Sequence, residues 1–324
     1  MCTYNGARYL REQLDSMAAQ TRLPDELTIC DDCSTDATRE IITEFARSDS
    51  FAVHFHINER NLGSTKNFER AIGLCKGDYI ALSDQDDVWL PDKLAKLEAE
   101  FERAPNVGLI FTDAEVIDDA ARLAGYTLWQ KLPVRLAELQ RLRSRRAIDE
   151  LLGGSIVTGA TMAFRTRFQN LLLPIPNDLP IIHDAWIAIL LGAVSEVLPL
   201  PSPLIRYRQH SDQQVGAKER ETDGGGIRRA LRRTTSYHEL IRIGTQVQQR
   251  LSEHREDYKS DDALSRLAAR LKHLRARANL PEQSLKRLTR VLRELLTGRY
   301  HIYSNGLSSA AKDLLSKGAR NPMG

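Results

Sequence analysis

The first hundred residues alternate between segments typical of buried strands and segments typical of helices. The predicted strands are 26–30, 51–57, 78–83 and 107–112. The predicted helices, in which apolar residues recur at helical spacing, are 7–20, 35–48, 64–75 and 91–104. Regular alternation of this kind predicts an α/β fold, with a mostly parallel, Rossmann-like sheet covered by helices on both faces.

Aspartates crowd the ends of two of these strands. Asp31 and Asp32 follow 26–30, while Asp84, Asp86 and Asp87 follow the apolar run that ends at residue 82. Like charges this close repel one another, and a bound divalent cation would compensate them because hard metals select carboxylate oxygens. An acidic turn open to water is the alternative. Ligands gather at the carboxyl ends of parallel strands, so two acidic strand ends aimed at one crevice favour a ligand site.

Two other kinds of metal site are disfavoured. An EF-hand loop that starts at Asp84 would place Trp89 at position six, where glycine is needed, and Ala95 at position twelve, where glutamate is needed. Cys30 and Cys33 form a C-x-x-C motif, but no second C-x-x-C and no H-x-x-H accompany it. A zinc or redox role for this pair is therefore not expected.

The charge distribution divides the chain. Residues 1–216 contain 23 Lys and Arg against 31 Asp and Glu, whereas residues 217–324 contain 23 against 12. We predict an acidic domain over 1–216 and a basic helical region over 217–324, with a hinge at 223–226. The basic helices suit either an anionic membrane surface or a helical bundle with a solvated basic face. Nucleic acid is not an expected partner, because aromatic residues do not interleave with the basic ones.

The sequence has no apolar run long enough to cross a membrane and no recognisable signal peptide. Its four cysteines suit a reducing compartment, so we predict a cytoplasmic protein. Because of the basic helices, we predict that it is peripheral on the inner face of the cell membrane. Only Met1 precedes the loop and helix that normally follow a first strand. The first strand is therefore expected to be missing, through truncation or a start assigned too late.

Four stretches in order carry a family resemblance. They are "CTYNGARYLREQLDSMAAQT", "DDCSTDAT", "SDQDDVWLPDKL" and "HDAWIAILLGA", followed by "YRQHSDQQVGA". Together they resemble glycosyltransferase family 2 over roughly 2–216, and most resemble its bacterial rhamnosyltransferase-type members. The resemblance implies the GT-A fold and inverting, metal-dependent transfer from a nucleotide-sugar donor, dTDP-rhamnose being favoured. It also implies a glycan or lipid-linked acceptor in cell-surface polysaccharide synthesis.

The resemblance assigns the nucleotide to the first two stretches. Tyr4, with Thr3 and Asn5 beside it, would pack on the nucleobase, and Asp32 would accept the imide N–H of the base. Thymidine and uridine present the same imide edge, so Asp32 does not distinguish them. Cys33 stands where the family often has glycine, which leaves the backbone turn at that position open.

The D-x-D stretch and the residues near 210 are assigned to the cation. By resemblance, Asp86 would contact Mg²⁺ or Mn²⁺, while Asp84 would face the ribose or a metal-bound water. Asp87 would orient the following helix. His210 is a second metal-ligand candidate, the alternative being a surface turn.

The remaining assignments concern the acceptor and the diphosphate. Inversion requires a base on the acceptor hydroxyl, and Asp184 matches the family's catalytic carboxylate. His183 either tunes Asp184 or is an exposed helix-start residue, and Trp186 either lines the acceptor side or packs in the core. Arg206 and Arg208 would clamp the diphosphate, because guanidinium groups match phosphate geometry.

Three rival functions remain open. A family-2 transferase could use a UDP- or GDP-sugar instead of dTDP-rhamnose. A nucleotidyltransferase is disfavoured, since its usual glycine-rich loop is not found after the first strand position. A non-catalytic scaffold that docks polysaccharide machinery is disfavoured by the intact Asp86 and Asp184.

Overall fold

The computed structural model describes residues 1–47, 51–131, 136–143, 147–153, 157–210 and 236–315. The chain forms two compact units, Met1–Arg233 and Thr234–Gly324. The predicted boundary after residue 216 and the predicted hinge at 223–226 lie outside the described residues.

A three-stranded parallel sheet opens the first unit. Its strands, in spatial order, are β1 (Cys2–Thr3), β2 (Glu26–Asp31) and β3 (Ala52–Ile57). β2 is buried along most of its length because Leu27, Ile29 and Cys30 are apolar. The first strand is thus present as two residues, with Cys2 opposite Cys30, where the sequence analysis expected none.

A larger, mixed sheet completes this unit. Its strands are β4 (Tyr79–Ala81), β5 (Val88–Trp89), β6 (Val107–Ile117), β7 (Leu123–Thr127), β8 (Met162–Arg165) and β9 (Glu196–Arg208). The order is β4-β8-β6-β9-β5, with β7 paired to β6. β6 and β9 run parallel, whereas the β4–β8, β6–β8, β6–β7 and β5–β9 pairs are antiparallel. The α/β class is confirmed, but the parallel arrangement is confined to the first sheet and the β6–β9 pair among the described strands.

Helices cover the sheets because their apolar residues share one face. In α1 the buried residues include Leu10, Leu14 and Met17, which recur at helical spacing and belong to the core cluster that contains Ile29. The α-helices of the first unit are α1 (Ala7–Ala18), α2 (Thr38–Phe45), α3 (Ser64–Leu74), α4 (Lys93–Arg103), α5 (Leu128–Lys131), α6 (Leu136–Leu142), α7 (Ala147–Leu151), α8 (Gln169–Leu172) and α9 (His183–Val194). Two 3₁₀ turns, Gly159–Thr161 and Thr166–Phe168, flank β8.

β9 is one long strand although it contains three prolines. Pro199 and Pro203 lie opposite β6 residues, and the β6–β9 register shifts near Pro203. β5 pairs with β9 only at Ile205 and Arg206. The proline-rich part therefore has a ladder neighbour on one side only, where a missing N–H can face away from the pairing.

The second unit is helical. Its helices are α10 (Tyr237–Glu253), α11 (Asp261–Ala278), α12 (Ser284–Leu296), α13 (Arg299–Tyr303) and α14 (Gly306–Leu315). Ser236 and Glu239 form a capping box at the start of α10. Val291, Tyr300 and Ala310 form a small apolar core between α12, α13 and α14. Among the described helices, none combines the length and apolar character that a membrane crossing requires.

Candidate active site

The acidic loop after β4 meets the end of β9. β5 pairs antiparallel with β9, and β9 ends two residues before His210. This pairing places His210 Nε2 2.9 Å from Asp86 Oδ2. The two residues that the sequence analysis assigned to the cation are thus brought together.

The charge of Asp184 affects the pKa of a carboxyl group in this loop. The pKa of Asp84 is raised to about 7, mainly by burial and then by the charges of Asp86 and Asp184. Asp87 is buried, and burial also raises its pKa well above the ordinary value. Its Oδ1 accepts from the backbone N–H of Arg208 at 3.0 Å, while its Oδ2 has no hydrogen-bond partner among the described residues. Burial and mutual repulsion therefore destabilise the ionised forms of Asp84 and Asp87.

Lys93 is a buried cation whose charge acts on this cluster. The sequence analysis did not identify it as a residue of the site. Its side chain is fully buried, Nζ donates to the Ala160 carbonyl at 3.1 Å, and the ammonium lies 3.9 Å from the centre of the Trp89 ring. Burial lowers its pKa to about 7, against the raising effect of Asp87 and Asp84. The detectable signal was its position at helical spacing from the buried Leu97 and Phe101 of α4.

Asp184 lies in the first turn of α9, next to the 3₁₀ turn that precedes β8. Its Oδ2 accepts from the Gly159 N–H at 3.3 Å and its Oδ1 from the Ala185 N–H at 2.6 Å. Burial nevertheless raises its pKa to about 6, because the desolvation of the carboxylate outweighs these bonds. A carboxylate poised near neutral pH is suited to accept a proton from an alcohol.

The two neighbours of Asp184 pack in the core. The His183 ring stacks on Phe68 with centroids 4.0 Å apart, and burial lowers its pKa to about 3, so it is neutral at physiological pH. Trp186 is buried, and its indole N–H donates to the Leu172 carbonyl at 2.9 Å. Of the two readings left open for Trp186, the structure therefore gives core packing, not the lining of an acceptor site.

A two-way clamp joins the D-x-D loop to the loop after β1. The Tyr4 N–H donates to Gln85 Oε1 at 2.8 Å, and Gln85 Nε2 donates to the Tyr4 carbonyl at 3.1 Å. Gly6 lies against the same amide, since a Cβ at residue 6 would be only 2.2 Å from Gln85 Oε1. The Tyr4 ring itself is 52% exposed. Gln85, the middle residue of the motif, thus positions the candidate stacking residue.

Thr3 and Asn5 serve the local structure. Thr3 Oγ1 donates to Asp31 Oδ1 at 2.9 Å. Asn5 adopts a left-handed φ of 48°, and its Oδ1 accepts from the Thr35 N–H at 2.8 Å. These bonds tie the loop after β1 to the loop after β2, which leaves the Tyr4 ring as the outward-facing group of this stretch.

The acidic pair after β2 is buried and well bonded. Asp31 accepts from Arg39 Nε at 3.0 Å and from the Ser34 N–H at 2.9 Å. Asp32 accepts from Asn58 Nδ2 at 2.7 Å and from the N–H groups of residues 62 and 63 at 2.7 and 2.8 Å. A carboxylate has about four acceptor positions, so Asp32 retains about one for a ligand. Cys33, which follows, adopts φ 65°, a left-handed turn of the kind that favours glycine.

The two arginines of β9 differ. Arg206 is exposed and its Nε pairs with Glu115 Oε2 at 3.2 Å. Arg208 is fully buried: its Nε donates to the Asp86 carbonyl at 2.8 Å, and Nη2 pairs with Glu12. Its Nη1 donates to two backbone carbonyls, at residues 118 and 119. Arg208 therefore connects the D-x-D loop to α1 and to the turn after β6.

A divalent cation fits the donor set only with help from a ligand. Among the described residues, no group of three His, Cys, Asp or Glu side chains is placed to hold a metal ion. Asp86 and His210 supply two ligand atoms 2.9 Å apart, and Asp87 Oδ2 is a buried oxygen without a hydrogen-bond partner among the described residues. The remaining coordination positions would fall to diphosphate oxygens or water.

Comparison with known proteins gives a consistent family. The model of the family described as glycosyl transferase family 2 matches residues 1–168. An uncharacterized protein of Mycobacterium tuberculosis strain H37Rv, Rv1520, is 31% identical over 214 residues, which cover 64% of this chain and 57% of that protein. The putative teichuronic acid biosynthesis glycosyltransferase TuaG of Bacillus subtilis strain 168 is 36% identical over 175 residues, covering 54% and 64%.

Solved structures agree on the fold. Staphylococcus aureus TarS residues 1–349, crystallised with UDP-GlcNAc, superposes with a TM-score of 0.57 at 15% identity, over 97% of this chain and 80% of that one. The likeness at this identity concerns the fold, which is of the GT-A type. The chain spans less than two thirds of the length of the curated relatives named above.

Proposed function

Because the chain belongs to glycosyltransferase family 2, we propose that it is an inverting, metal-dependent transferase that moves a sugar from a nucleotide-sugar donor to an acceptor hydroxyl. The observation that carries the proposal is the buried Asp184, whose pKa is raised to about 6 and whose charge acts on the D-x-D carboxylate Asp84. An inverting transfer needs a base for the acceptor hydroxyl and an acidic loop on the donor side, and here the charge of the candidate base acts on that loop.

The proposed reaction uses Asp184 as the base. The acceptor hydroxyl loses its proton to the Asp184 carboxylate while its oxygen bonds to the anomeric carbon of the sugar. The bond between that carbon and the diphosphate oxygen breaks, and the electron pair leaves with the nucleoside diphosphate. The Gly159 and Ala185 N–H groups orient the two oxygens of Asp184. His183, neutral and stacked on Phe68, supports α9 and is a weaker candidate for the base.

On the donor side, Tyr4 is proposed to stack on the base and Asp32 to accept its imide N–H. The exposed Tyr4 ring and the remaining acceptor position of Asp32 support these roles. Asp84 is proposed to face the ribose, and Thr3 and Asn5 to hold the loop. Arg206, exposed at the end of β9, is the better candidate for the diphosphate, since the Arg208 guanidinium is committed within the fold.

Asp86 and His210 would hold Mg²⁺ or Mn²⁺. When bound, the cation supplies Lewis-acid neutralisation of the charge that develops on the diphosphate. Arg208 keeps the Asp86 backbone in place, and the Tyr4–Gln85 clamp fixes the other side of the loop.

For the donor and the pathway, we favour dTDP-rhamnose and a glycan or lipid-linked acceptor in cell-surface polysaccharide synthesis, at the cytoplasmic membrane face. The ordered motifs of residues 2–216 support this choice. The names of two relatives, TuaG and the abequosyltransferase RfbV of Salmonella typhimurium strain LT2 (33% identical over 109 residues, 33% of each chain), support a role in building glycans.

A donor screen tests the proposal. The full chain is incubated with Mg²⁺ or Mn²⁺ and dTDP-rhamnose or common UDP- and GDP-sugars, and released nucleoside diphosphate is measured beside the Asp86→Ala variant. Release above that of the variant supports a transferase, and the fastest donor identifies the sugar. A faster UDP- or GDP-sugar would refute the rhamnosyl assignment alone. Donor binding without release from any donor would favour the scaffold function.

A further inference from the structure

One helix of the second unit exposes a continuous row of leucines. Along α12, Leu285, Leu288, Leu292 and Leu296 follow one another at spacings of three and four residues, so they share one face. Their exposed fractions are 77%, 39%, 47% and 89%. We call these four side chains the leucine face. Monomeric soluble domains rarely leave contiguous apolar residues of this size in water without a use.

The opposite face of α12 fixes its orientation. Val291 is buried in the apolar core of the unit, and Glu294 pairs with His273 Nδ1 at 2.8 Å and with Arg299 Nη1 at 3.0 Å. Arg287 is also buried and donates to the Pro281 carbonyl at 2.8 Å. The helix is therefore held by its polar and apolar inner face, and the leucine face is not required to close the core.

Positive charge adjoins the leucine face. Lys286 and Arg293 are exposed on α12 and each follows a leucine of this face by one residue, about 100° around the helix, so they flank the leucines on one side. Residues 263–315 contain eleven Lys and Arg against three Asp and Glu. Glu294 and Asp313 are buried, and so are Arg270, Arg277 and Arg287, which leaves eight basic residues (eleven less three) against one acidic residue (three less two) that are not buried. The charge left at the surface around this helix is therefore predominantly positive.

We propose that the leucine face binds an anionic lipid surface, with α12 lying in the plane of the membrane interface. Leucines would enter the boundary of the acyl chains, while Lys286 and Arg293 would contact lipid phosphates. A second copy of the chain is a poorer occupant. An antiparallel symmetric pairing through this face would bring the same two cations against one another. This inference does not depend on the proposed chemistry of the first unit.

Vesicle flotation of the full chain tests the proposal. Vesicles of equal parts phosphatidylglycerol and phosphatidylcholine are compared with vesicles of phosphatidylcholine alone. Binding is expected to the anionic vesicles and to weaken with salt, because the charges of the lipid surface are screened. Neutral vesicles should retain much less protein, since leucine insertion alone lacks the electrostatic contribution.

Variants then assign the binding to this face. The double variant Leu292→Gln/Leu296→Gln should lower the partition coefficient at least about tenfold, because two apolar side chains no longer enter the interface. Arg293→Gln should lower it about fivefold. The matched control is Leu123→Gln, which replaces a leucine that is 60% exposed in the first unit and should leave binding unchanged. Circular dichroism checks that each variant remains folded.

Several outcomes would overturn the proposal. They are the absence of binding to either vesicle type, equal binding to both types, and loss of binding in the Leu123→Gln control to the same degree. A wild-type chain that is dimeric in light scattering, and monomeric in the leucine double variant, would instead assign the face to a second copy.

Discussion

Replacing Asp184 by asparagine separates a catalytic base from a structural helix-start residue. Asparagine keeps the shape of the side chain but accepts no proton, and loss of a positioned base costs about 10²–10⁴-fold in rate. The donor does not need the base in order to bind. We therefore expect turnover to fall at least about a hundredfold, with the donor dissociation constant within about threefold of wild type, a difference of under 1 kcal/mol.

The same substitution should stabilise the fold at pH 7. Burial raises the pKa of Asp184 from 3.8 to about 6. Each pKa unit corresponds to about 1.4 kcal/mol, so keeping the ionised carboxylate buried costs the folded state about 3 kcal/mol. Asparagine can still accept from Ala185 through Oδ1 but loses the 3.3 Å bond from Gly159, worth about 1 kcal/mol. A net gain of about 2 kcal/mol in the free energy of unfolding is expected.

The gain should depend on pH in a defined direction. Because the pKa is higher in the folded state, wild-type stability rises as pH falls from about 6 towards 3.8, where the carboxyl is protonated and its burial cost disappears. The advantage of Asp184→Asn should therefore vanish near pH 4. For the same reason the kcat/KM of the wild type should fall as pH drops below about 6, since a protonated carboxyl cannot act as the base.

Tryptophan fluorescence isolates the relevant transition. The three tryptophans of the chain, Trp89, Trp129 and Trp186, all lie in the first unit, so urea unfolding followed by their emission does not report on the second unit. Unfolding is measured in a chelator at pH 7 and pH 4, donor affinity by isothermal titration and turnover with metal. Asp15→Asn is the matched control, because Asp15 is exposed in an ion pair with Arg11 and should change stability by less than about 0.5 kcal/mol.

Three results would refute this reasoning. Turnover within threefold of wild type would show that Asp184 is structural and that the base lies elsewhere. A fall in stability at pH 7 would mean that the Asp184 carboxylate is compensated by partners or ligands other than the two N–H groups. A large loss of donor affinity would mean that Asp184 acts on the donor and not only on the acceptor hydroxyl.

Three further predictions address the donor side. Asp86→Ala should abolish transfer and remove any effect of Mg²⁺ or Mn²⁺ on donor affinity, whereas full wild-type activity in a chelator would contradict a metal site. Gln85→Ala and Gly6→Ala should both raise the KM for the donor more than they lower kcat, because each disrupts the clamp on the Tyr4 backbone. Steady-state kinetics measure both constants. If only one of the two variants raises the KM, the clamp is not what positions Tyr4. Lys93→Met should lower the free energy of unfolding by about 3–5 kcal/mol, since it leaves buried carboxylates without their cation, and an unchanged urea midpoint would show that this lysine does not compensate them.

Part of the acidic site was expected from topology and part from the family resemblance. Because strand ends in an α/β fold meet at one edge, the sequence analysis expected the acidic residues after β2 and β4 to share one crevice. Asp184 and His210 were added to this site only through the resemblance. The charge of Asp184 does act on Asp84, and His210 does reach Asp86.

The roles of Arg208, Asp32 and Lys93 could not be predicted in the same way. Their partners come from distant segments: Arg208 reaches Glu12, Asp32 accepts from residues 58–63, and Lys93 donates to Ala160. A charged residue in a motif suggests a ligand, but it equally supplies hydrogen bonds to loops that lack regular pairing. Lys93 alone left a local signal, a lysine on the apolar face of a predicted helix.

The charged residues of the first unit therefore fall into two physical groups. Asp31 and Arg208 are buried and nearly saturated by protein partners, so their loss would leave several N–H or C=O groups unpaired and would appear first in stability. Asp84, Asp87 and Asp184 are desolvated without full compensation, so the fold gains nothing from their charge. Asp84 and Asp87 lie in the acidic loop, and the charge of Asp184 acts on that loop. Groups that cost stability in this way are retained for a ligand or a reaction, whereas groups with a full set of hydrogen bonds are accounted for by the fold. Within a family motif, the hydrogen-bond saturation of each carboxylate thus predicts whether its substitution is seen in unfolding or in kinetics.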